Sequence, residues 1–265
     1  MSPWSPDTLV LAALACIGVA YGIRVRRLSA RGRPVPPWRV LAFGLAIALF
    51  AAADAAPVRR LDDRLFSVHM AQHLVIGDVA PLLAVIGLSG PLLRPVLALR
   101  GVAGLRRLAS PLVALPLWAA DLLTWHVPRI YDAALANPAL HAVQHLSFAA
   151  FGALLWSAIL GPLPTPGRLG HGGRIGALAA VWVTGGVLAN VLVWSGRVLY
   201  PAYRDAPAEW GLSPLADQRI GGGLMLVEMT VVVLAAGIVL GLGWQRDAER
   251  RQRLVERRAG GLRTP

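Results

Sequence analysis

The chain has 265 residues and six histidines, and five of these fall in three short blocks. The first is His69-Met70-Ala71-Gln72-His73, the second His141-Ala142-Val143-Gln144-His145, and the third Trp125-His126-Val127-Pro128. His171 stands apart. On a helix, residues i and i+4 share a face, with Cβ atoms about 5–6 Å apart. That spacing suits two imidazole nitrogens on one metal at about 2 Å each. An isolated pair is explained as readily by hydrogen bonding at a helix interface. Two pairs at one level, with a fifth imidazole beside them, point to a metal or a cofactor.

Neighbouring residues extend the set. Met70 lies about 60° round the helix from His73, so its thioether either joins the ligands or packs. Gln72 and Gln144 each precede the second histidine of a pair and are placed to orient an imidazole. Asp217, with Gln218 at the start of the last apolar run, fits a ligand, a partner to a ligand, or a cap.

The elements that carry these residues are membrane spans. Hydrophobic residues make up 56% of the chain and charged residues 15%, with a mean hydropathy of +0.58. Soluble domains reach about 45–50% apolar only when glycine is included. A soluble enzyme, a disordered chain and a disulfide scaffold are therefore excluded. A span needs roughly 20 mostly apolar residues, and seven runs qualify, at about 6–23, 39–56, 67–88, 110–127, 139–160, 175–195 and 219–243. The runs are long and lack a period of two, so helices are expected, not strands. The expected architecture is an all-α bundle of seven transmembrane helices in one domain, 1–244, followed by a basic tail, 245–265. The first run is not expected to be a signal peptide, because its arginines follow it.

Every basic residue is arginine, and 19 of the 26 fall in alternate connections beginning with 24–39 and ending with the tail. The positive-inside rule then puts the N-terminus outside and the C-terminus in the cytoplasm. All five clustered histidines come to the outer ends of the third, fourth and fifth spans. The net charge of +12 is placed for the membrane surface and not for nucleic acid. The 90–108 connection reads as an interfacial segment, and the tail as a topology anchor.

Asp78, Asp121 and Glu228 lie deeper, with Asp54 nearer the outer edge. Ionisable groups inside a span cost about 2.5–3.5 kcal/mol each on insertion scales. Asp78 is about 140° round its helix from His73 and is expected to face a different neighbour through a structural hydrogen bond. Gly221-Gly222-Gly223 is expected to permit close helix approach. Cys16 cannot form an intramolecular disulfide.

Several blocks carry a family resemblance. His69 to His73 with Ala80-Pro81-Leu82-Leu83 and Gly87, Trp125-His126-Val127-Pro128 with Tyr131-Asp132-Ala133-Ala134-Leu135, His141 to His145 with Phe148 and Trp156, Tyr200-Pro201-Ala202-Tyr203, and Asp217-Gln218 with Gly222 and Met225 recur in order. The chain resembles the seven-helix CtaG family of cytochrome c oxidase assembly factors over about residues 65–230. The resemblance implies a bacterial plasma-membrane factor for haem–copper oxidase maturation, with copper delivery as its proposed role. Its partners would be oxidase subunits or another copper-handling protein. It carries His69, His73, His126, His141 and His145 over as the family's histidine positions, and Asp217 as part of its Asp-Gln motif. Gln144 departs from the family, which often has an acidic residue there.

Imidazole nitrogen suits Cu(II), which stands highest in affinity among the divalent ions, whereas Cu(I) prefers sulfur. Two other readings remain: a bis-histidine haem protein, and a metal or proton transporter using Asp78, Asp121 and Glu228. No nucleophile elbow, phosphate loop or catalytic carboxylate pair is present, so an enzyme is not expected.

Overall fold

The computed structural model describes residues 6–99, 107–161 and 169–261. These are almost wholly helical, with no strand among the described residues. The elements are α1 (Pro6–Ala30), α2 (Pro37–Ala53), α3 (Ala56–Asp62), α4 (Phe66–Gly87), α5 (Gly90–Leu97), α6 (Pro111–Trp125), α7 (Pro128–Ala136), α8 (Pro138–Leu160), α9 (His171–Trp194) and α10 (Pro214–Gly261). Two 3₁₀ turns, Pro201–Tyr203 and Ala206–Trp210, sit in the α9–α10 connection.

Four helices, α4, α8, α9 and α10, are long and apolar enough to cross a membrane, and α2 and α6 are shorter apolar helices. Their outer surfaces are those of a lipid-facing protein. Leu41, Leu112, Val187, Trp194 and Val239 are all exposed. Residues 100–106 of the 90–108 connection lie outside the described residues, and the rest forms α5 and the lead into α6.

The helices begin where prolines and caps allow. Pro37, Pro111, Pro128 and Pro138 occupy first-turn positions, where a missing N–H costs nothing. Asn137 caps α8, its side-chain oxygen accepting from the amides of Ala139 and Leu140 at 2.9 and 3.2 Å. That places His141 and His145 in the first two turns. α10 continues unbroken from Pro214 to Gly261, so 245–261 extends the last apolar helix instead of leaving it. At 1.5 Å per residue such a helix is about 72 Å long, more than twice a hydrocarbon core of about 30 Å.

α4 is the centre of the bundle and packs against α2, α8 and α10. Glycines set how closely. A Cβ on Gly152 of α8 would overlap the Gly77 carbonyl oxygen of α4, and one on Gly221 of α10 would lie 2.6 Å from the Phe66 ring. Gly222 meets α9 at Leu192 and Ala189, whereas Gly223 has open space. Two of the three consecutive glycines thus make the close approach expected of them.

α4 is not regular. Val75–Val79 forms a π turn between two α-helical halves. A π turn holds an extra residue, so residues five apart come round towards one side. Asp78 takes the structural hydrogen bond expected of it, from the Trp156 indole on α8. It lines the same cavity as His73, where an unbroken α-helix would have turned it away.

Candidate metal centre

α4 and α8 bring their first turns together at one end of the bundle, and four imidazoles meet there. The ring centroids of His69 and His73 are 4.1 Å apart, those of His141 and His145 4.2 Å. Across the helices, His69 to His141 and His73 to His145 are each 5.3 Å. One ligand nitrogen from each of His69, His73 and His141 lies within 4.8 Å of the other two. Nitrogens on a common metal at about 2.0–2.1 Å stand up to about 4.2 Å apart, so a small side-chain rotation closes the set.

The polar atoms fit such a group. His69 and His73 are buried, and neither ring nitrogen of either finds a hydrogen-bond partner among the described residues. The Nε2 atoms of His141 and His145 are likewise buried and unpartnered. Buried polar groups are nearly always satisfied, so a cluster of orphaned imidazole nitrogens fits a bound metal. His145 Nδ1 lies 3.5 Å from Asp54 Oδ1 at the end of α2. A carboxylate behind a ligand imidazole fixes its tautomer and raises its basicity.

The other residues singled out in the sequence have definite places. His126 ends α6, and its Nδ1 donates to the Leu122 carbonyl at 2.7 Å, leaving a buried Nε2 without a partner among the described residues. It faces a cavity that runs inward from the imidazoles, and Met70 lines the same cavity. Gln72 donates to the Ala53 carbonyl at 2.9 Å, so it ties α4 to α2. Gln144 is buried, and its Oε1 has no partner among the described residues.

Of the three roles open to Asp217, the cap is the one its contacts describe. Its carboxylate accepts from the Phe66 and Ser67 amides at 2.6 and 3.1 Å and from the Ser67 hydroxyl. It thus caps α4 from another helix, satisfying amides that the helix cannot. Gln218 holds the chain before α10, accepting from the Leu199 amide and donating to the Leu192 carbonyl. His171 is elsewhere, stacked on Trp244 at 5.9 Å.

An aromatic cover over the imidazoles was not read from the sequence. Phe66, Tyr131, Tyr200 and Tyr203 pack together, with His69 5.2 Å from the Tyr131 ring. Tyr203 donates to the Asp62 carbonyl and Tyr200 to the His126 carbonyl, each at 3.0 Å. Burial holds both phenols well above the usual tyrosine range, so they remain hydrogen-bond donors. Burial, with Asp63 adjacent, pushes the Asp62 carboxyl up to about 7.

Deeper in the bundle, the Asp78 and Glu228 side chains hydrogen-bond to each other, and the Trp156 indole donates to Asp78. Asp121 is separate, accepting from the Trp125 indole at 2.9 Å.

The family model of the cytochrome c oxidase caa3 assembly factor, Caa3_CtaG, matches residues 19–247. The chain belongs to this family. Uncharacterized proteins of Mycobacterium bovis and Mycobacterium tuberculosis are each 28% identical over 269 residues, covering 94% of this chain and 40% of their own. One from Mycobacterium leprae is 25% identical over 275 residues, covering 93% of this chain and 40% of its own. The chain therefore spans about 40% of the length of the curated relatives it matches. No solved structure matches.

Proposed function

We propose that this assembly factor binds copper through His69, His73, His141 and His145 and supports maturation of a haem–copper oxidase. The observation that carries the reading is the convergence of three ligand nitrogens within 4.8 Å, on buried or half-buried rings with unpartnered nitrogens. All-imidazole coordination suits Cu(II). Asp54 would orient His145, and the Asp217 cap would hold the helix that supplies His69 and His73.

In this reading α1, α2 and α6 join the four long helices as seven spans. The arginine asymmetry sets the N-terminus outside and the imidazoles at the outer face of the bacterial plasma membrane. The role is binding and delivery, not catalysis, and the partner is an oxidase subunit or another copper-handling protein. Haem is disfavoured by space. The cavity beside the imidazoles is about 60 Å³, whereas pockets for organic ligands run to about 300–1,000 Å³.

In cells carrying His69→Ala/His141→Ala in place of the natural chain, oxidase subunits should be made and inserted but remain copper-poor. Full copper content and activity of the oxidase in those cells would contradict the reading.

A further inference from the structure

The chain contains four methionines, Met1, Met70, Met225 and Met229. The three internal ones all line one narrow cavity just inward of the imidazoles. Met70 comes from α4, and Met225 and Met229, at i and i+4, share a face of α10. Glycines bring them there. Gly221 lets α10 close on Phe66 and Met70, and the Met229 methyl sits against Gly185 of α9. All three side chains are buried.

The same cavity is lined by His126. Its Nδ1 faces a carbonyl, which only accepts, so Nδ1 carries the proton. Nε2 then bears the lone pair, and it is buried with no partner among the described residues, on a side chain only 7% exposed. A tautomer fixed in this way is the one a metal-ligating imidazole requires.

Methionine commonly fills irregular gaps in a core. Here the thioethers border space of about 60 Å³ beside an imidazole lone pair, so gap-filling does not account for the arrangement. The donors are soft and neutral. Thioether sulfur selects Cu(I) over harder divalent ions; Asp78 and Glu228 also line the cavity, with their carboxyls hydrogen-bonded to each other. We infer that Met70, Met225, Met229 and the His126 Nε2 form a second metal site, specific for Cu(I), beneath the outer imidazole centre. His73 borders both sites. The inner one is made of different ligands and stands whether or not the outer centre binds Cu(II).

The test uses the full chain in detergent. Cu(I) is titrated anaerobically against a chromophoric Cu(I) chelator, and the loaded protein is measured by copper X-ray absorption. The expected spectrum contains sulfur scatterers. Met225→Leu/Met229→Leu should cut the sulfur scattering to the share of Met70 and weaken Cu(I) binding at least tenfold, with Cu(II) binding at the outer imidazoles unchanged. Leucine keeps the side-chain volume, and retained helicity and melting temperature check the fold directly. His126→Gln should weaken Cu(I) binding by a similar factor with every methionine in place. His69→Ala/His141→Ala should keep sulfur-ligated Cu(I) while losing Cu(II). A wild-type spectrum without sulfur, or unchanged Cu(I) affinity in both the methionine and His126 variants, overturns the inner site. Failure of Cu(II) to bind the wild type overturns only the outer one.

Discussion

Gly152 on α8 lies directly against the carbonyl of Gly77 on α4, leaving no room for a Cβ. This contact sits at the π turn, two turns below His145 and one below His73, and it sets the separation of the two histidine-bearing helices. Gly152→Ala should push α8 from α4 and destabilise the protein by about 1–3 kcal/mol. Copper affinity should fall although no ligand is changed. Thermal unfolding and copper titration of the same preparation check both effects, and an unchanged affinity would separate this contact from the site.

Asp217 offers a second test at a distance. As a buried cap it satisfies amides at the start of α4. Replacement of a cap by alanine costs about 0.5–2 kcal/mol, and buried amides left unpaired add to that. Asp217→Ala should therefore lower the melting temperature, and Asp217→Asn, which keeps one accepting oxygen, should lower it less. A metal ligand would behave differently, with stoichiometric metal lost in the asparagine variant at unchanged stability.

Asp54 stands behind His145 at 3.5 Å. Removing a carboxylate in that position typically costs about 10–100-fold in metal affinity. Asp54→Asn should weaken copper binding by that factor with the number of bound ions unchanged. Copper titration against a competing chelator measures it, and wild-type affinity would exclude a role for this carboxylate.

Asp62 makes stability depend on pH. Its carboxyl titrates near 7 in the fold, against 3.8 for an unperturbed group, so the folded state holds the proton more tightly. The associated stability is fully present below about pH 4, declines as pH rises, and is lost above about pH 7. Asp62→Asn should flatten that decline. Melting temperatures between pH 4 and 8 check it, and parallel curves for the two proteins would contradict it.

Much of the architecture was legible because apolar length is a one-dimensional signal. The span expected at 139–160 is Pro138–Leu160, and that at 67–88 is Phe66–Gly87. The histidine pairs were legible for the same reason, since i,i+4 spacing fixes a shared face. That Asp78 lines a cavity together with His73 was not legible, because its direction depends on the π turn, and no residue type between Val75 and Val79 announces one. The pairing of Asp54 with His145 joins helices far apart in sequence, and so does the capping of α4 by Asp217. The tyrosine cover depends on how a loop folds back over the bundle, which side-chain periodicity does not encode. The shared destination of Met70, Met225 and Met229 likewise follows from where glycines let α10 approach α4.

The central claim is copper held by imidazoles from two helices. It is tested most directly by loading the purified chain with Cu(II) and measuring bound copper with electron paramagnetic resonance. The account predicts about one Cu(II) per chain at the imidazole set, with nitrogen hyperfine structure, lost in His69→Ala/His141→Ala. Failure to bind after loading, or full retention of the same signal in that variant, would contradict it.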